Sequence, residues 1–341
     1  MSNKYLNRTD IIHILNGLST VTFKTLYEIY IDLDNNLYRY MKDKKSSKKE
    51  LIDMLIKYYK IKPYEITNSN SILFDYLNYG KLKNSYYPIT VNFFKNKKIR
   101  NCSILIKGRR NYMEDNIITT DTKNYYYSLI LDGHGGDKCS IYFKLNFNKT
   151  FLKNLKYLNN YEKSIKMTLN QLENIFLKSK NESGTTLNLL FIDKKNNKYY
   201  VYNVGDSRCI ALTKKNEIKI LSKDHRPNLK SERDIIIKRG GFIKNNRVNG
   251  IMAVSRTFGD KKLKPIMICK PDIKKGLIND INFFVQGTDG LFDYISNREI
   301  CNKIEYNKQS YYNRAIKKLL LYVYKNKKSQ DNISCSFTLL A

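Results

Sequence analysis

The 341-residue sequence contains no tryptophan, only five prolines and half as many acidic as basic residues. Its 31 acidic residues against 62 lysines and arginines give a formal net charge of +31. No apolar run is long enough to span a bilayer, and the first residues lack a signal-peptide core and the glycine that myristoylation requires. We therefore expect a soluble intracellular protein, in the cytoplasm or the nucleus, without a membrane span.

The six cysteines lie far apart and form no Cys-x-x-Cys pair. This spacing excludes zinc ribbons and a compact disulfide framework, and it indicates a reducing compartment. The 42% of hydrophobic residues can nevertheless supply a sizeable core. The sequence is therefore that of a globular protein that needs no disulfide staples.

Residues 1–97 differ in pattern from the rest of the chain. Apolar residues at helical spacing, such as Phe23, Leu26 and Tyr30, predict helices, and a basic segment at residues 42–49 joins two of them. This part resembles, loosely, the helix-extended-helix pattern of SAP-type DNA-binding modules, although its length and glycine placement differ. We expect a helical, basic N-terminal extension that either binds nucleic acid or an acidic partner, or packs as a helical addition.

From residue 98 onward, short apolar strands and amphipathic helices alternate. The strands predicted here include 125–131, a hairpin of 186–192 with 199–204, a continuation of that meander at 208–212 and 218–221, and later strands at 283–286 and 333–340. Two helices with one apolar face are predicted around Leu169 and Leu319. This order favours an α+β fold, in which a central β-sandwich of two antiparallel sheets is flanked by helices.

Acidic residues recur where predicted strands end, although the chain is strongly basic. A lone Asp-Gly is most often a hairpin turn, so Asp132-Gly133 and Asp289-Gly290 indicate little when taken singly. The segment 132–136, however, crowds three glycines and a histidine around one carboxylate, which suits close approach of an ion and a substrate to the backbone. Because carboxylate oxygens bind hard divalent cations, the sequence predicts a two-metal enzyme.

Ten motifs carry a resemblance to a known family, and the similarity covers about residues 98–341. In chain order they are Arg110-x-x-x-Glu114-Asp115, Asp132-Gly133-His134-Gly135-Gly136, Ser183-Gly184-Thr185-Thr186, Gly205-Asp206-Ser207-Arg208, Asp224-His225-Arg226-Pro227, Gly240-Gly241-Phe242-Ile243, Arg247-Val248-Asn249-Gly250, Ala253-Val254-Ser255-Arg256 with Gly259-Asp260, Asp289-Gly290-Leu291-Phe292-Asp293 and Asp331-Asn332. The region resembles the metal-dependent serine/threonine protein phosphatases of the PPM, or type 2C, family. The resemblance implies a β-sandwich flanked by helices, with residues 98–341 as the catalytic domain.

The resemblance also implies a centre that holds two Mg²⁺ or Mn²⁺ ions. Asp132 matches the carboxylate that bridges both ions, and the carbonyl of Gly133 matches a ligand of the first. Asp289 and Asp331 match ligands of the second ion, with Glu114 near it. A weaker third ion is linked in the family to the positions that match Asp206 and Asp293.

By the same resemblance, a metal-bridging hydroxide attacks phosphorus directly, and no protein nucleophile is needed. Arg110 would grip phosphate oxygens, and His134 would protonate the serine or threonine leaving group, the alternative being a histidine packed beside the ligands. Phosphoserine and phosphothreonine proteins are the implied substrates. Supporting roles fall to Asp115, Thr185, Thr186, Asn332, Arg247 and Arg256, the two arginines lying in the family's substrate-facing flap unless they are simply solvated.

Four other functions are alternatives to a metal-dependent phosphatase. A pseudophosphatase would be expected to lose a metal carboxylate or the phosphate arginine, and both kinds of residue are present. A cysteine-based phosphatase needs Cys-x₅-Arg and a P-loop hydrolase needs Gly-x₄-Gly-Lys-[Ser/Thr], and neither motif occurs. The remaining alternative is a nucleic-acid-binding protein in which the phosphatase domain is secondary. His13 and His225 are expected to be structural.

Overall fold

The computed structural model describes residues 89–95, 99–306 and 312–340. The strands of this part are β1 Ile89–Lys95, β2 Ile99–Ile106, β3 Asn116–Asp121, β4 Tyr125–Leu131, β5 Gly133–His134, β6 Gly184–Thr185, β7 Leu187–Asp193, β8 Lys198–Val204, β9 Arg208–Thr213, β10 Ile218–Ile220, β11 Ile243–Lys244, β12 Arg247–Val248, β13 Phe258–Gly259, β14 Asp272–Leu277, β15 Ile281–Gly287 and β16 Ile333–Leu340. The helices are α1 Lys138–Leu158, α2 Tyr161–Leu177, α3 Lys230–Lys238, α4 Asp289–Phe292, α5 Asn297–Tyr306 and α6 Tyr312–Lys325.

Two antiparallel sheets form the centre of the fold. The first has six strands in the order β1-β2-β16-β15-β9-β10, and the second has five in the order β14-β8-β7-β4-β3. Tyr126 and Leu190 of the second sheet are buried in one cluster with Ala211 and Phe284 of the first. The predicted α+β sandwich of two antiparallel sheets is therefore confirmed.

Helices cover the outer faces of both sheets. Phe151 of α1 and Leu169 of α2 are buried in the same cluster as Phe191 of the second sheet. On the opposite side, Leu319 of α6 is buried with Phe337 of the first sheet. Each predicted apolar helix face thus has a sheet to pack against, which stabilises the four-layer arrangement.

Two consecutive asparagines separate α1 from α2. Asn159 adopts a left-handed φ of 46° and ends α1. The side-chain Oδ1 of Asn160 then accepts a hydrogen bond of 2.9 Å from the backbone N–H of Lys163, which starts α2. The local sequence therefore decides where the two helices of this layer meet.

The position of β9 and β10 corrects one sequence prediction. The hairpin of β7 and β8 is present as expected, but β9 does not continue that meander; it pairs with β15 and β10 in the other sheet. The chain crosses between the sheets at Gly205, whose φ of +97° is a left-handed conformation that favours glycine. The crossing places the residues that follow β8 between the two sheets.

The first sheet begins earlier than the predicted domain boundary between residues 97 and 98. Strand β1, at residues 89–95, pairs with β2 over its whole length, from Ile89 opposite Ile106 to Lys95 opposite Arg100. The strand therefore belongs to the sandwich and not to the extension.

The predicted helices of residues 1–88 lie outside the described residues. No helix among the described residues is long and apolar enough to cross a membrane.

Buried polar contacts join the two sheets. The side-chain amide of Gln286, in the first sheet, donates to Asn188 Oδ1 at 2.8 Å and to the carbonyl of Ser128 at 3.2 Å in the second. The hydroxyls of Ser128 and Ser336 are 2.7 Å apart. Since buried polar groups stay paired, these contacts fix how one sheet faces the other.

Candidate active site

Carboxylates from both sheets converge where the strands end. Asp132 follows β4 directly, Asp206 lies two residues after β8, and Asp289 lies two residues after β15. Each of the three offers a carboxylate oxygen, and these oxygens all lie within 4.8 Å of one another. Three strand ends that are distant in sequence thus build one acidic cluster.

The cluster is electrostatically strained. Burial, followed by the nearby charges of Asp115 and Asp289, raises the pKa of Asp132 well above its ordinary value. Burial together with Asp331 raises the pKa of Asp289 to about 6. Burial and Asp289 also raise the pKa of Asp206 well above its ordinary value. The protein backbone therefore holds together carboxylates that repel one another.

Asp115 supports the cluster from inside the sandwich. Its Oδ2 accepts hydrogen bonds from the Ser334 hydroxyl at 2.6 Å and the Thr288 hydroxyl at 3.2 Å. Burial raises the pKa of Asp115 to about 7, although the Ser334 hydroxyl acts in the opposite direction. The residue ties β16 to the turn before α4.

The backbone of Asp132 is held by two adjacent threonines. The Thr186 N–H donates to the Asp132 carbonyl at 2.8 Å, and the Thr185 hydroxyl donates to the same carbonyl at 3.1 Å. In return, the Asp132 N–H donates to the Thr186 hydroxyl at 3.2 Å. Gly133 pairs with Thr185 in a short ladder of β5 and β6. These contacts fix the chain direction on both sides of the carboxylate.

Glu114 and Asn332 connect two further segments to the centre. Glu114 Oε1 accepts a hydrogen bond of 2.7 Å from the Gly136 N–H, and the Glu114 N–H donates to Asn332 Oδ1 at 2.9 Å. The amide of Asn332 donates to the carbonyls of Lys107 at 2.6 Å and Tyr112 at 2.9 Å. Asn332 therefore clamps the loop that carries Arg110 to the strand that follows Asp331.

Arg110 lies at the open side of the centre. Its Nη2 is 2.5 Å from Asp331 Oδ2, and 52% of its side chain is exposed. Asp331 in turn is 29% exposed. A guanidinium that is half-exposed and held beside the acidic cluster can meet an incoming anion such as a phosphate group.

His134 is paired with a residue far away in sequence. Its Nε2 lies 2.8 Å from Asp260 Oδ2, with the two side chains 25% and 7% exposed. Gly184 makes room for this pair: a Cβ there would lie 2.1 Å from Asp260 Oδ2 and 2.3 Å from His134 Nε2. Since such approaches are impossible, any larger residue at 184 would displace one partner.

Arg226 connects the cluster with the surface. Its Nη2 lies 2.6 Å from Asp293 Oδ1 and 3.3 Å from Asp206 Oδ2. Asp206 and Asp293, which the resemblance assigns together to a third ion, thus share one arginine. Asp206 also groups with Asp132 and Asp289, so it belongs to the central cluster as well.

Comparison with known proteins agrees with this architecture. A family profile described as Protein phosphatase 2C matches residues 95–333. "Probable protein phosphatase 2C 45" of Oryza sativa subsp. japonica is 34% identical over 239 residues, which cover 67% of this chain and 83% of the relative. The chain belongs to the protein phosphatase 2C family. The sequence prediction of the PPM family and of a protein serine/threonine phosphatase is therefore confirmed.

Two further matches extend the comparison for this phosphatase. "Probable protein phosphatase 2C member 13, mitochondrial" of the same rice subspecies is 32% identical over 241 residues, or 67% of this chain and 65% of the relative. The crystal structure of a serine-threonine phosphatase 2C from Toxoplasma gondii has a TM-score of 0.65 and 17% identity, and the match covers 75% of this chain and 100% of that chain. The second match supports the fold.

The donor set of this phosphatase fits divalent cations. The three clustered side chains offer only carboxylate oxygens, the ligands that Mg²⁺ and Mn²⁺ prefer. Among the described residues, no lysine or arginine forms an ion pair with Asp132 or Asp289. Their raised pKa values show that the protein alone does not offset their charge. A bound cation would supply the missing positive charge.

The two flap arginines lie in different environments. Arg247 is exposed on β12, and its Nη1 donates to the Ile251 carbonyl at 2.7 Å. Arg256 is only 7% exposed, and its guanidinium bonds the Glu232 carboxylate and Asp272. Arg256 therefore connects α3 and β14 below the surface. It is not a solvated surface arginine.

His225 is structural, as expected from the sequence. It is fully buried, its Nδ1 accepts from the Gly205 N–H at 3.1 Å, and its Nε2 lies 3.2 Å from Asp272 Oδ2. Burial and the nearby Arg256 lower the pKa of His225. It holds the crossing between the sheets in place.

The sequence assigned no role to Asp260 or Arg226, although both lie in quoted motifs. Their partners, His134 and the pair of Asp206 and Asp293, are distant along the chain, so residue types alone carried no signal for these contacts. A buried acidic residue with a left-handed φ of 47°, as at Asp260, becomes recognisable only in the structure.

Proposed function

We propose that this phosphatase hydrolyses phosphoserine and phosphothreonine in proteins with the help of two divalent cations, Mg²⁺ or Mn²⁺. The residues that would hold them are Asp132, Asp289, Asp331, Glu114 and the Gly133 carbonyl, with Asp206 and Asp293 available to a third ion. The convergence of Asp132, Asp206 and Asp289, whose carboxylate oxygens lie within 4.8 Å of one another, carries this proposal. When bound, such ions activate water and offset negative charge at phosphorus.

Arg110 is proposed to bind the phosphate group. Its guanidinium is half-exposed and held by Asp331 at the edge of the acidic cluster. Two parallel N–H groups can donate to two phosphate oxygens, which orients the phosphorus and offsets charge in a loose transition state. Because the cluster itself would repel a phosphate, this positive side chain sets the direction of approach.

His134 is proposed to donate the proton that the leaving oxygen needs. Asp260 holds Nε2 at 2.8 Å, so the ring cannot rotate freely. We therefore assign the transferred proton to the other ring nitrogen, Nδ1. The conformational restriction by Asp260 lowers the entropic cost of presenting that proton to the substrate.

The test is turnover of phosphoserine and phosphothreonine peptides with Mn²⁺, with Mg²⁺ and after chelation. We expect activity to require a metal and to be lost in Asp132→Asn, whereas the exposed Asp234→Asn control keeps wild-type turnover. Thermal unfolding of each variant shows whether it is folded. Undiminished turnover after EDTA and extensive dialysis would overturn the two-metal proposal.

The basic extension gives a second, independent proposal about partners. The helical sequence pattern and the charge of residues 1–88 favour recruitment of a polyanion, either nucleic acid or an acidic protein. Salt-sensitive binding of DNA or RNA by the full chain, lost when the extension is removed, is the expected result.

A further inference from the structure

A buried carboxylate outside the acidic cluster contacts the loop that carries Asp260, residues 257–264. The carboxylate belongs to Glu173 on α2, and only 3% of this residue is exposed. The same helix buries apolar side chains in the cluster of that layer, namely Leu169, Leu172 and Phe176. A charge in such a place is costly unless it is paired and hydrogen-bonded. None of the roles proposed above uses this carboxylate.

Both carboxylate oxygens of Glu173 bind the Asp260 loop. Oε2 accepts a hydrogen bond of 2.9 Å from the Gly259 N–H. Oε1 forms an ion pair with the ammonium group of Lys264, which also donates to the Thr257 carbonyl at 2.8 Å. One side chain of α2 therefore holds the loop on both sides of Asp260.

The backbone of the Asp260 loop is unusual. Gly259 has a φ of +74° and Asp260 a φ of 47°, so two consecutive residues adopt left-handed conformations. This conformation is disfavoured for an aspartate, which has a Cβ, and it persists only where neighbouring contacts impose it. The Asp260 N–H donates to the Ser183 carbonyl at 3.2 Å, and the Asp260 carbonyl accepts from the Leu263 N–H at 2.8 Å. The hydrogen bond from Gly259 to Glu173 adds the contact from the helical layer.

The position of Asp260 decides which way the His134 ring faces. Asp260 Oδ2 lies 2.8 Å from His134 Nε2. An ionised carboxylate accepts hydrogen bonds and cannot donate them, so Nε2 carries the proton of this bond. The proton proposed for transfer to the leaving oxygen is on Nδ1, at the other side of the ring. Because a displacement of about 1 Å can strongly slow an enzymatic step, a shift of the loop would impair this transfer.

We propose that Glu173 is a positioning residue for proton transfer. By accepting the hydrogen bond from the Gly259 N–H, it keeps the Asp260 loop in the conformation that orients the His134 ring. The proposal rests on the proposed phosphatase function and adds to it a residue of α2 that touches neither metal nor phosphate. An ion pair that only stabilised the fold would not change which leaving groups the enzyme favours.

Two double variants isolate the hydrogen bond from the ion pair. Glu173→Gln with Lys264→Met keeps a carbonyl oxygen for the Gly259 N–H, whereas Glu173→Leu with Lys264→Met removes it. Both variants lose the ion pair and the buried charge, so they differ only in the hydrogen-bond acceptor. Glu162→Gln is the matched control on the same helix, because that carboxylate is 30% exposed and pairs with Lys166.

The activity test compares kcat for a phosphoserine peptide with kcat for p-nitrophenyl phosphate, whose leaving group needs no proton. We expect the ratio of the two to fall roughly tenfold in the leucine variant and to stay within about twofold of wild type in the glutamine variant and the control. Since the ratio is taken within one variant, a general loss of activity cancels. An unchanged ratio in the folded leucine variant, or an equal fall in the glutamine variant, overturns the positioning role.

Thermal unfolding shows whether each variant is folded. Glu173→Met with Lys264→Met takes the place of the leucine variant if leucine prevents folding, because the flexible methionine side chain fits irregular spaces and also offers the N–H no oxygen.

An NMR measurement separates this proposal from the phosphatase proposal, because it requires no turnover. The chain has three histidines, so the ring ¹⁵N signals of His134 in metal-free, histidine-labelled protein can be assigned with His134→Gln. At one fixed pH, the Nε2–H signal should be protected from exchange with water in wild type and the glutamine variant and lost to exchange in the leucine variant. A signal equally protected in the leucine variant overturns the positioning role. Absence of turnover on every substrate, together with the expected NMR difference, overturns the phosphatase proposal alone.

Discussion

Replacing Asp289 by asparagine should stabilise the metal-free protein while impairing its response to metal. Asparagine has nearly the same shape as aspartate but carries no charge. In the folded protein, burial and Asp331 raise the pKa of Asp289 from 3.8 to about 6. The unfolded chain ionises this carboxyl more easily, so ionisation at neutral pH favours unfolding.

The size of the effect follows from the pKa difference. A rise from 3.8 to about 6 corresponds to about 3 kcal/mol of lost stability at pH 7.5. Because other carboxyls of the cluster readjust, this is the upper end of the expected gain in Asp289→Asn. A domain of this size shifts by about 2–4 °C per kcal/mol, so Tm should rise by up to about 10 °C.

The pH dependence has a defined sign. A raised carboxyl pKa does not lower the free energy of unfolding below pH 4, where the carboxyl is protonated in both the folded and the unfolded protein. The loss of unfolding free energy grows as the pH rises from about 4 to about 6, and it reaches its full size above that range. The advantage of Asp289→Asn over wild type should therefore be present at pH 7.5 and absent at pH 4.

Thermal unfolding by circular dichroism in EDTA, and again with Mn²⁺, is the appropriate assay. Wild type should gain Tm from Mn²⁺ and the variant should gain much less. Asp234→Asn is the control, because that carboxylate is 58% exposed and its replacement should change stability by under about 0.5 kcal/mol. The reasoning would be refuted if Asp289→Asn were no more stable than wild type in EDTA at pH 7.5. It would also be refuted if the Tm advantage of the variant were as large at pH 4 as at pH 7.5.

Three further predictions concern His134, Gly184 and the extension. His134→Ala should reduce kcat far more for a phosphoserine peptide than for p-nitrophenyl phosphate, whose leaving group departs without a proton; equal losses would count against proton donation. Gly184→Ala should resemble His134→Ala in this substrate dependence, because its Cβ would displace the pair of His134 and Asp260; a wild-type ratio between the two substrates would contradict that. Deleting residues 1–88, and no more, should preserve peptide turnover, since β1 begins at Ile89 and pairs with β2; aggregation of the truncated protein would show that the extension belongs to the core.

The sequence was informative wherever structure or chemistry depends on residues that are close together in the chain. Short apolar runs predicted β4 and the hairpin of β7 and β8, because strands that are buried on both faces carry apolar residues at successive positions. The motif at residues 132–136 indicated an ion-binding turn, because its glycines, histidine and carboxylate are neighbours in the chain. The ordered motifs then identified the family and its reaction class.

Tertiary structure alone decided which of these segments meet. No local signal distinguishes a strand that continues a meander from one that crosses to the other sheet, as β9 does to pair with β15. The contact of His134 with Asp260 spans 126 residues and exists because β5, β6 and β13 form one small sheet. Burial of Arg256 against Glu232 likewise depends on how α3 packs. Residue types set the available chemistry, while the packing of two sheets and their helices set which groups act together.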